Sequence, residues 1–222
     1  MEETHPSDVS VEDWQQMVIE LTNYSQAHLW RDFAWHAARM AIIDHEKFLR
    51  MRITNDDWEG MRRELENYRR QKAWDSFAAR AARMAIIDPP RFIDIDIDAD
   101  VWQGMVDMIK KYRTQNSWMN IASQLYHLKT IDAERFRLIS IEDADWKALR
   151  IQLENFKKQE MWGQFAKLAA YMRILNPERF QDDAVLSGQE WSSMRQELEM
   201  KRQKNYWAAF AAQASRIKIL QS

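Results

Sequence analysis

The sequence predicts an all-α protein, an α-solenoid of five repeats of about 44 residues, each with two helices and a short one-turn connector. Ten of the eleven tryptophans form two series with spacings of 44, 44, 44 and 45 residues. The first series is Trp14, Trp58, Trp102, Trp146 and Trp191, and the second is Trp30, Trp74, Trp118, Trp162 and Trp207. Phe48, Phe92, Phe136 and Phe180 form a third series with the same period. A fixed period of this length is typical of stacked structural repeats.

The repeats fill the chain, so we predict a single domain over residues 1–222. No linker of low complexity separates the repeats, and one residue is inserted before the last of them. The predicted repeats cover residues 9–52, 53–96, 97–140, 141–185 and 186–222.

Each repeat opens with signals for the start of a helix. Ser10 with Asp13, Thr54 with Asp57 and Ser187 with Glu190 have the spacing of a capping box, in which two side chains satisfy free backbone amides. An apolar residue precedes each cap. The first tryptophan of the repeat lies five residues after this apolar residue, which is the spacing of a hydrophobic staple. The first helix of each repeat is therefore predicted to begin here.

The short reach of the segment between repeats predicts that each repeat contains two helices. A single helix from Thr54 to Ile87 would be about 50 Å long. The ten residues that follow reach only about 35 Å, too little to return to a parallel neighbour. The apolar stripe also changes phase between Tyr68 and Trp74. We therefore place a break near residues 69–72 and expect antiparallel helix pairs, stacked in a row.

Residues that depart from the repeat suggest that the row has two exposed ends. Gly60, Gly104, Ala148 and Ser193 share one small-residue position, which the first repeat fills with Gln16. A second position is aromatic in four repeats and is Lys201 in the last. Both departures are expected where a terminal face has no neighbour.

Composition excludes several function classes. The chain lacks cysteine, which removes thiol chemistry, and its formal charge of −2 does not indicate a nucleic-acid partner. We find no apolar run that could span a membrane and no secretory signal, so we expect a cytoplasmic monomer without membrane contact. The segment from Ile93 to Asp100 fails the EF-hand pattern, and the histidines form no ligand motif. No metal, cofactor or enzyme activity is predicted.

Charge alternates along each repeat. The turns between the paired helices are basic and the connectors are acidic, which in a stack would give one basic edge and one acidic edge. This matches the preference of acids for helix starts and of bases for helix ends. The alternative is that the basic edge follows a phosphate backbone. Its residues would be Arg69, Arg70, Lys72, Lys110, Lys111, Arg113, Lys157, Lys158, Arg202 and Lys204.

The second helix of each repeat has non-core positions that differ between repeats, as a recognition surface would. The predicted partner-binding residues are Arg31, Trp35, His36, Arg39, Arg80, Arg83, Asn120, Gln124, His127, Lys167 and Tyr171. Trp35 is the one tryptophan outside the repeat series, and exposed aromatic residues are common anchors for partners. Its alternative role is as a cap residue beneath the acidic N-terminal segment.

The paired-helix pattern resembles helical-hairpin repeat proteins of the HEAT, armadillo and tetratricopeptide kind over the whole chain. The twin tryptophans match none of their consensus motifs, and the tetratricopeptide period of 34 residues is shorter. The resemblance implies a non-catalytic scaffold that binds a protein or peptide. The alternatives are nucleic-acid binding along the basic edge and a structural spacer in a larger assembly.

Overall fold

A computed structural model describes residues 9–183 and 186–222, and the described chain is all-α. Five long helices, termed the outer helices, begin the repeating pattern: α1 (Val11–Gln26), α4 (Asn55–Arg70), α7 (Ala99–Thr114), α10 (Asp143–Lys158) and α13 (Gly188–Gln203). Each is followed by an inner helix: α2 (Trp30–Ile43), α5 (Trp74–Ile87), α8 (Trp118–Ile131), α11 (Trp162–Leu175) and α14 (Trp207–Gln221). Short helices follow the first four: α3 (His45–Arg50), α6 (Pro89–Phe92), α9 (Ala133–Phe136) and α12 (Pro177–Asp183).

The outer helices begin at the predicted caps. In α1 the Asp13 amide donates to Ser10 Oγ at 3.1 Å, and the Ser10 amide donates to Asp13 Oδ2 at 3.0 Å. Reciprocal boxes also form at Thr54 and Ser187, and at Glu142, which the capping rule for serine and threonine does not predict. These bonds satisfy amides that would otherwise lack a partner in the first turn.

A left-handed residue separates each outer helix from its inner helix. The left-handed residues at these five junctions occupy one repeat position: His28, Lys72, Asn116, Glu160 and Asn205. A sixth, Arg52, precedes α4. In the second repeat α4 ends at Arg70, Lys72 has φ of 52°, and the Ala73 amide donates to the Tyr68 carbonyl at 3.0 Å. This Schellman-type end reverses the chain without glycine. It agrees with the predicted break at residues 69–72.

Aromatic residues join neighbouring repeats. A Cβ atom added to Gly104 would lie 2.5 Å from Trp74 Nε1, and one added to Gly60 would overlap the Trp30 ring. The missing side chains therefore admit the indole of the preceding repeat. Phe48 and its three counterparts are buried in the core. Four of the five tryptophans of the first series lie beneath a cation of the short helix in the same repeat, as between Trp146 and the Arg179 guanidinium at 5.2 Å.

The helices close into a ring. Each inner helix packs against the next, and α14 then packs against α2, while α1 also contacts α14. At the closing interface Arg202 donates from Nε to Asp13 Oδ1 at 2.9 Å and from Nη2 to Oδ2 at 2.7 Å. The first and last parts of the described chain are therefore neighbours. An open solenoid, which the repeat pattern predicts, would leave them apart.

Equivalent positions make the same contact at the other interfaces. Arg69 binds Asp98 at 2.5 Å, Arg113 binds Asp145, Lys157 binds Glu190, and Ser25 Oγ donates to Asp57 at 2.5 Å. In each case the end of one outer helix meets the start of the next. Favourable alignment of helix dipoles accompanies these ion pairs.

Two expectations drawn from an open stack are wrong. Lys201 does not mark an exposed end: its side chain is only 18% exposed and pairs with Glu197. The repeats also do not form one basic edge opposite one acidic edge. Since outer helices meet end to start, four cations of the proposed basic edge face acids of the next repeat.

Ring closure predicts that Arg202 contributes to stability as an internal interface residue does. Arg202→Gln and Arg113→Gln should each lower the free energy of unfolding by about 1–3 kcal/mol, because each leaves a buried carboxylate without its charged donor. Urea unfolding followed by tryptophan fluorescence measures both. If Arg202→Gln were neutral while Arg113→Gln destabilised, the ring would be open in solution.

Candidate functional site

The ring encloses a cavity of about 450 Å³ on its axis. Its wall is mostly polar, and all five inner helices contribute to it. The lining residues are Trp35, Arg39, Asp75, Ser76, Ala79, Arg80, Arg83, Tyr112, Asn120, Ser123, Gln124, His127, Lys167, Tyr171 and Arg216. We call this space the axial cavity. Its volume falls within the usual range for small-molecule sites.

The axial cavity narrows to a ring of five side chains from one repeat position. These residues, termed the waist, are Arg39, Arg83, His127, Tyr171 and Arg216. Beyond them lies a second compartment of only about 50 Å³, with Ile42, Ile86 and Ile219 in its wall. The waist therefore separates a polar chamber from a small compartment with a mixed polar and apolar wall.

Four cations of this site lack a carboxylate partner, whereas Arg80 is paired with Glu64. Among the side chains of residues 9–180 and 186–222, no carboxylate oxygen lies within 4.0 Å of a side-chain nitrogen of Arg39, Arg83, Lys167 or Arg216. Arg39 Nη1 donates to the Trp35 carbonyl at 3.0 Å, and its guanidinium stacks on the Trp35 ring at 4.0 Å. Arg216 Nη1 donates to the Gly163 carbonyl at 3.1 Å. These contacts orient the guanidinium groups but do not neutralise them.

Desolvation acts on every arginine of the waist. Burial lowers the pKa of Arg39 to about 10, and burial with repulsion from Arg80 and Arg39 lowers the pKa of Arg83 to about 9. Burial likewise lowers the pKa of Arg216. All three remain charged near neutral pH, so the waist concentrates positive charge where solvation is poor.

The neutral members of the waist respond to this charge. Burial, followed by the charges of Arg83 and Lys167, holds the pKa of His127 well below its ordinary value of 6.5. Burial alone would raise the pKa of Tyr171, but Lys167 and other nearby cations outweigh it and lower that pKa. Both shifts favour the more negative form of each side chain, as expected in a positive potential.

Buried nitrogen atoms at the site lack hydrogen-bond partners. They include Arg39 Nε, Arg80 Nε and His127 Nδ1, and His127 is only 9% exposed. Arg80 Nε still forms an ion pair with Glu64, whose Oε2 lies 3.7 Å away and likewise lacks a hydrogen bond, so the donors open to a ligand are those of Arg39 and His127. Unsatisfied buried polar atoms are uncommon in folded proteins, and a bound anion would satisfy such donors.

Nine of the eleven predicted partner-binding residues line the axial cavity, although the sequence predicts an open surface for them. The exceptions are Arg31, whose side chain is exposed, and His36, which is fully buried with Nε2 3.0 Å from the Met17 carbonyl. His36 fails to reach the cavity because it lies on the side of α2 that contacts α1. Arg31 contributes its carbonyl, which accepts from Arg80 Nη1 at 3.1 Å.

Trp35 is half-buried in the cavity wall. The N-terminal segment 1–8, beneath which it was expected as a cap residue, lies outside the described residues. Sequence reasoning missed Asp75 and Tyr112 at the site. Tyr112 Oη donates to Asp75 Oδ2 at 3.1 Å, which links the third repeat to the second. The aromatic position of Tyr112 had indicated only packing between repeats.

The described residues contain no cluster of three histidine or acidic side chains that could hold a metal ion. In the same part of the chain, no helix is both long enough and apolar enough to cross a membrane. No protein-family model matches the chain, and no curated protein or solved structure shows a significant match to it.

Acid should destabilise the ring through His127. Because the folded-state pKa lies below 6.5, the unfolded chain binds more protons as pH falls through that value, and stability is lost. His127→Asn should therefore lose less stability than the wild type between about pH 7 and pH 5. The difference between the two proteins in free energy of unfolding should grow by at most about 1.4 kcal/mol for each pH unit.

Urea unfolding at each pH measures this effect, with the exposed His45→Asn as the matched control. Parallel profiles for the wild type and His127→Asn would show that His127 titrates alike in the folded and unfolded chains.

Proposed function

We propose that this chain is a closed ring of five helical-hairpin repeats that acts as a non-catalytic binding protein and receives an anionic ligand in the axial cavity. One observation carries the proposal: Arg39, Arg83 and Arg216 converge from three inner helices on the waist without a carboxylate partner among the described residues. Arginine is well suited to planar recognition of carboxylate and phosphate groups.

A purely structural role does not account for these arginines. Ile42 and Ile86 lie one helical turn after Arg39 and Arg83 on the same helices, and these positions are filled without charge. Burying unpaired charge is costly, so apolar residues would stabilise a spacer better. A ligand that supplies negative charge removes this cost.

The size and enclosure of the axial cavity favour a small ligand. A volume of about 450 Å³ suits a metabolite-sized molecule, whereas a nucleic-acid duplex or a folded partner would not fit. Closure of the ring also removes the extended lateral groove that open solenoids offer to peptides.

A second candidate function, peptide binding, is favoured by a groove between α11 and α13. The groove has a volume of about 730 Å³, with apolar residues Met161, Trp162 and Met200 in its wall. Met161 and Met200 are exposed, and Glu160 and Glu199 add negative charge. We propose a basic amphipathic helix as its occupant, since methionine-rich grooves of this charge suit such peptides.

The cavity hypothesis predicts opposite effects of Arg83→Gln on stability and on binding. Without ligand, the variant should be more stable than the wild type by about 1 kcal/mol or more, because a desolvated cation surrounded by like charges is removed. It should also lose most of the thermal stabilisation that inorganic phosphate gives the wild type.

Thermal unfolding with and without phosphate, at constant ionic strength, measures both effects. Arg62→Gln on the exposed surface of α4 is the matched control and should retain the wild-type response. Equal phosphate responses in Arg83→Gln and the wild type would exclude the waist as the anion site.

The groove hypothesis predicts that Met200→Gln weakens binding of a fluorescent helical peptide built from leucine and lysine by about tenfold, because an apolar contact is lost. Fluorescence anisotropy measures the affinity. Ile151→Gln, which changes a similarly exposed residue outside the groove, should have no effect. Equal losses in both variants would indicate non-specific adsorption.

A further inference from the structure

We infer that the ligand of the axial cavity is a small, polar molecule that carries at least two phosphate groups. This inference rests on the proposed function and assigns a chemical class to the anion. It follows from the number of unpaired cations, from their placement in the polar chamber and from the small volume beyond the waist.

The charge of the site exceeds what one monovalent anion can balance. Arg39, Arg83, Arg216 and Lys167 all face the cavity without a carboxylate partner in the described chain. Asp75 also lines the wall, so these four cations leave a net charge of +3, the paired Arg80 and Glu64 aside. A single carboxylate group of a ligand would leave two of these charges uncompensated. Each phosphate monoester group carries about −1.5 to −2 at neutral pH, so two such groups match the site.

The cations occupy two places in the wall. The arginines of the waist come from α14, α2 and α5, which are consecutive around the ring. Lys167 lies one helical turn before Tyr171 on α11, on the wall of the larger chamber, and is absent from the smaller compartment. One phosphate group would bind the guanidinium groups at the waist, and a second would bind Lys167. Guanidinium forks and a lysine point charge are both established modes of phosphate binding.

Neutral polar residues surround the space between these two places. Asn120, Ser123 and Gln124 line this chamber, and Trp35 adds an aromatic face. Gln124 Nε2 already donates to the Met105 carbonyl at 2.9 Å, which leaves its carbonyl oxygen as an acceptor. Such a wall suits hydroxyl groups or a heterocycle more than a hydrocarbon.

The compartment beyond the waist excludes a lipid tail. Its volume of about 50 Å³ is too small for an acyl chain, and Ile42, Ile86 and Ile219 surround it. The ligand must therefore lie almost entirely on the polar side of the waist. An acyl chain could leave only through the mouth of the axial cavity, past its mostly polar wall.

Titration calorimetry on the full chain, at constant ionic strength, tests the inference with four probes: acetate, inorganic phosphate, pyrophosphate and tripolyphosphate. Pyrophosphate should bind at least tenfold more tightly than phosphate, and acetate should bind weakest. Lys167→Gln should reduce the ratio of pyrophosphate to phosphate affinity, while the exposed Lys147→Gln should leave it unchanged. Circular dichroism confirms that each variant is folded.

The outcomes separate this inference from the proposed function. If phosphate binds through the waist arginines but pyrophosphate binds no more tightly, the polyphosphate assignment is wrong and the anion site stands. If no probe binds, or if Arg39→Gln and Arg216→Gln leave binding unchanged, the proposed function itself fails.

Two further probes, ADP and a hexose bisphosphate, distinguish the polar frameworks. Tighter binding of ADP than of pyrophosphate, lost in Trp35→Leu, would support a nucleotide. Tighter binding of the bisphosphate, lost in Asn120→Ala, would support a phosphorylated sugar. If ADP and the hexose bisphosphate both bind more weakly than pyrophosphate, neither a nucleoside nor a sugar is the part of the ligand that carries the phosphate groups.

Discussion

The architecture depends on the interface between the last repeat and the first, where α14 packs against α2 and Arg202 pairs with Asp13. The same end-to-start contact holds the internal interfaces, so no repeat has a free lateral face. A row of inner helices that would otherwise line one side of an open spiral becomes the wall of an enclosed space. The axial cavity is therefore a product of closure, and no single repeat contains it.

Closure also explains how the ring accommodates so much unpaired positive charge. The cations of the waist come from separate repeats, and one continuous aromatic and apolar core joins these repeats. Repulsion among Arg39, Arg83 and Arg216 therefore acts between elements that five interfaces hold in place. Strained or repulsive sites of this kind are commonly functional and are maintained by the stability of the surrounding fold.

Local sequence signals predicted the secondary structure well. The capping residues gave the helix starts, and the phase change between Tyr68 and Trp74 located the break that Lys72 makes with its left-handed backbone. These features depend on neighbours within a few residues, which a single sequence contains. The Glu142 cap was missed because glutamate is not among the preferred capping residues.

Closure could not be predicted in the same way, because it depends on the small rotation between successive repeats. A sequence signal was nevertheless present. Arg202 occupies the same repeat position as Arg69 and Arg113. A basic residue at this position has an acidic partner only if another repeat follows. Arg39, Arg83 and Arg216 likewise share one repeat position, but their convergence on an axis appears only once the ring is closed.

The ring has a consequence for how such a chain could change its length over evolutionary time. An open superhelix can gain or lose a unit by unequal recombination, since the new end resembles the old one. Here each repeat turns the chain by about one fifth of a full circle, as point-group closure requires for five units. Duplicating or deleting one repeat would leave a gap or an overlap at the seam between α14 and α2. A change in repeat number would therefore require a change in the angle between successive repeats.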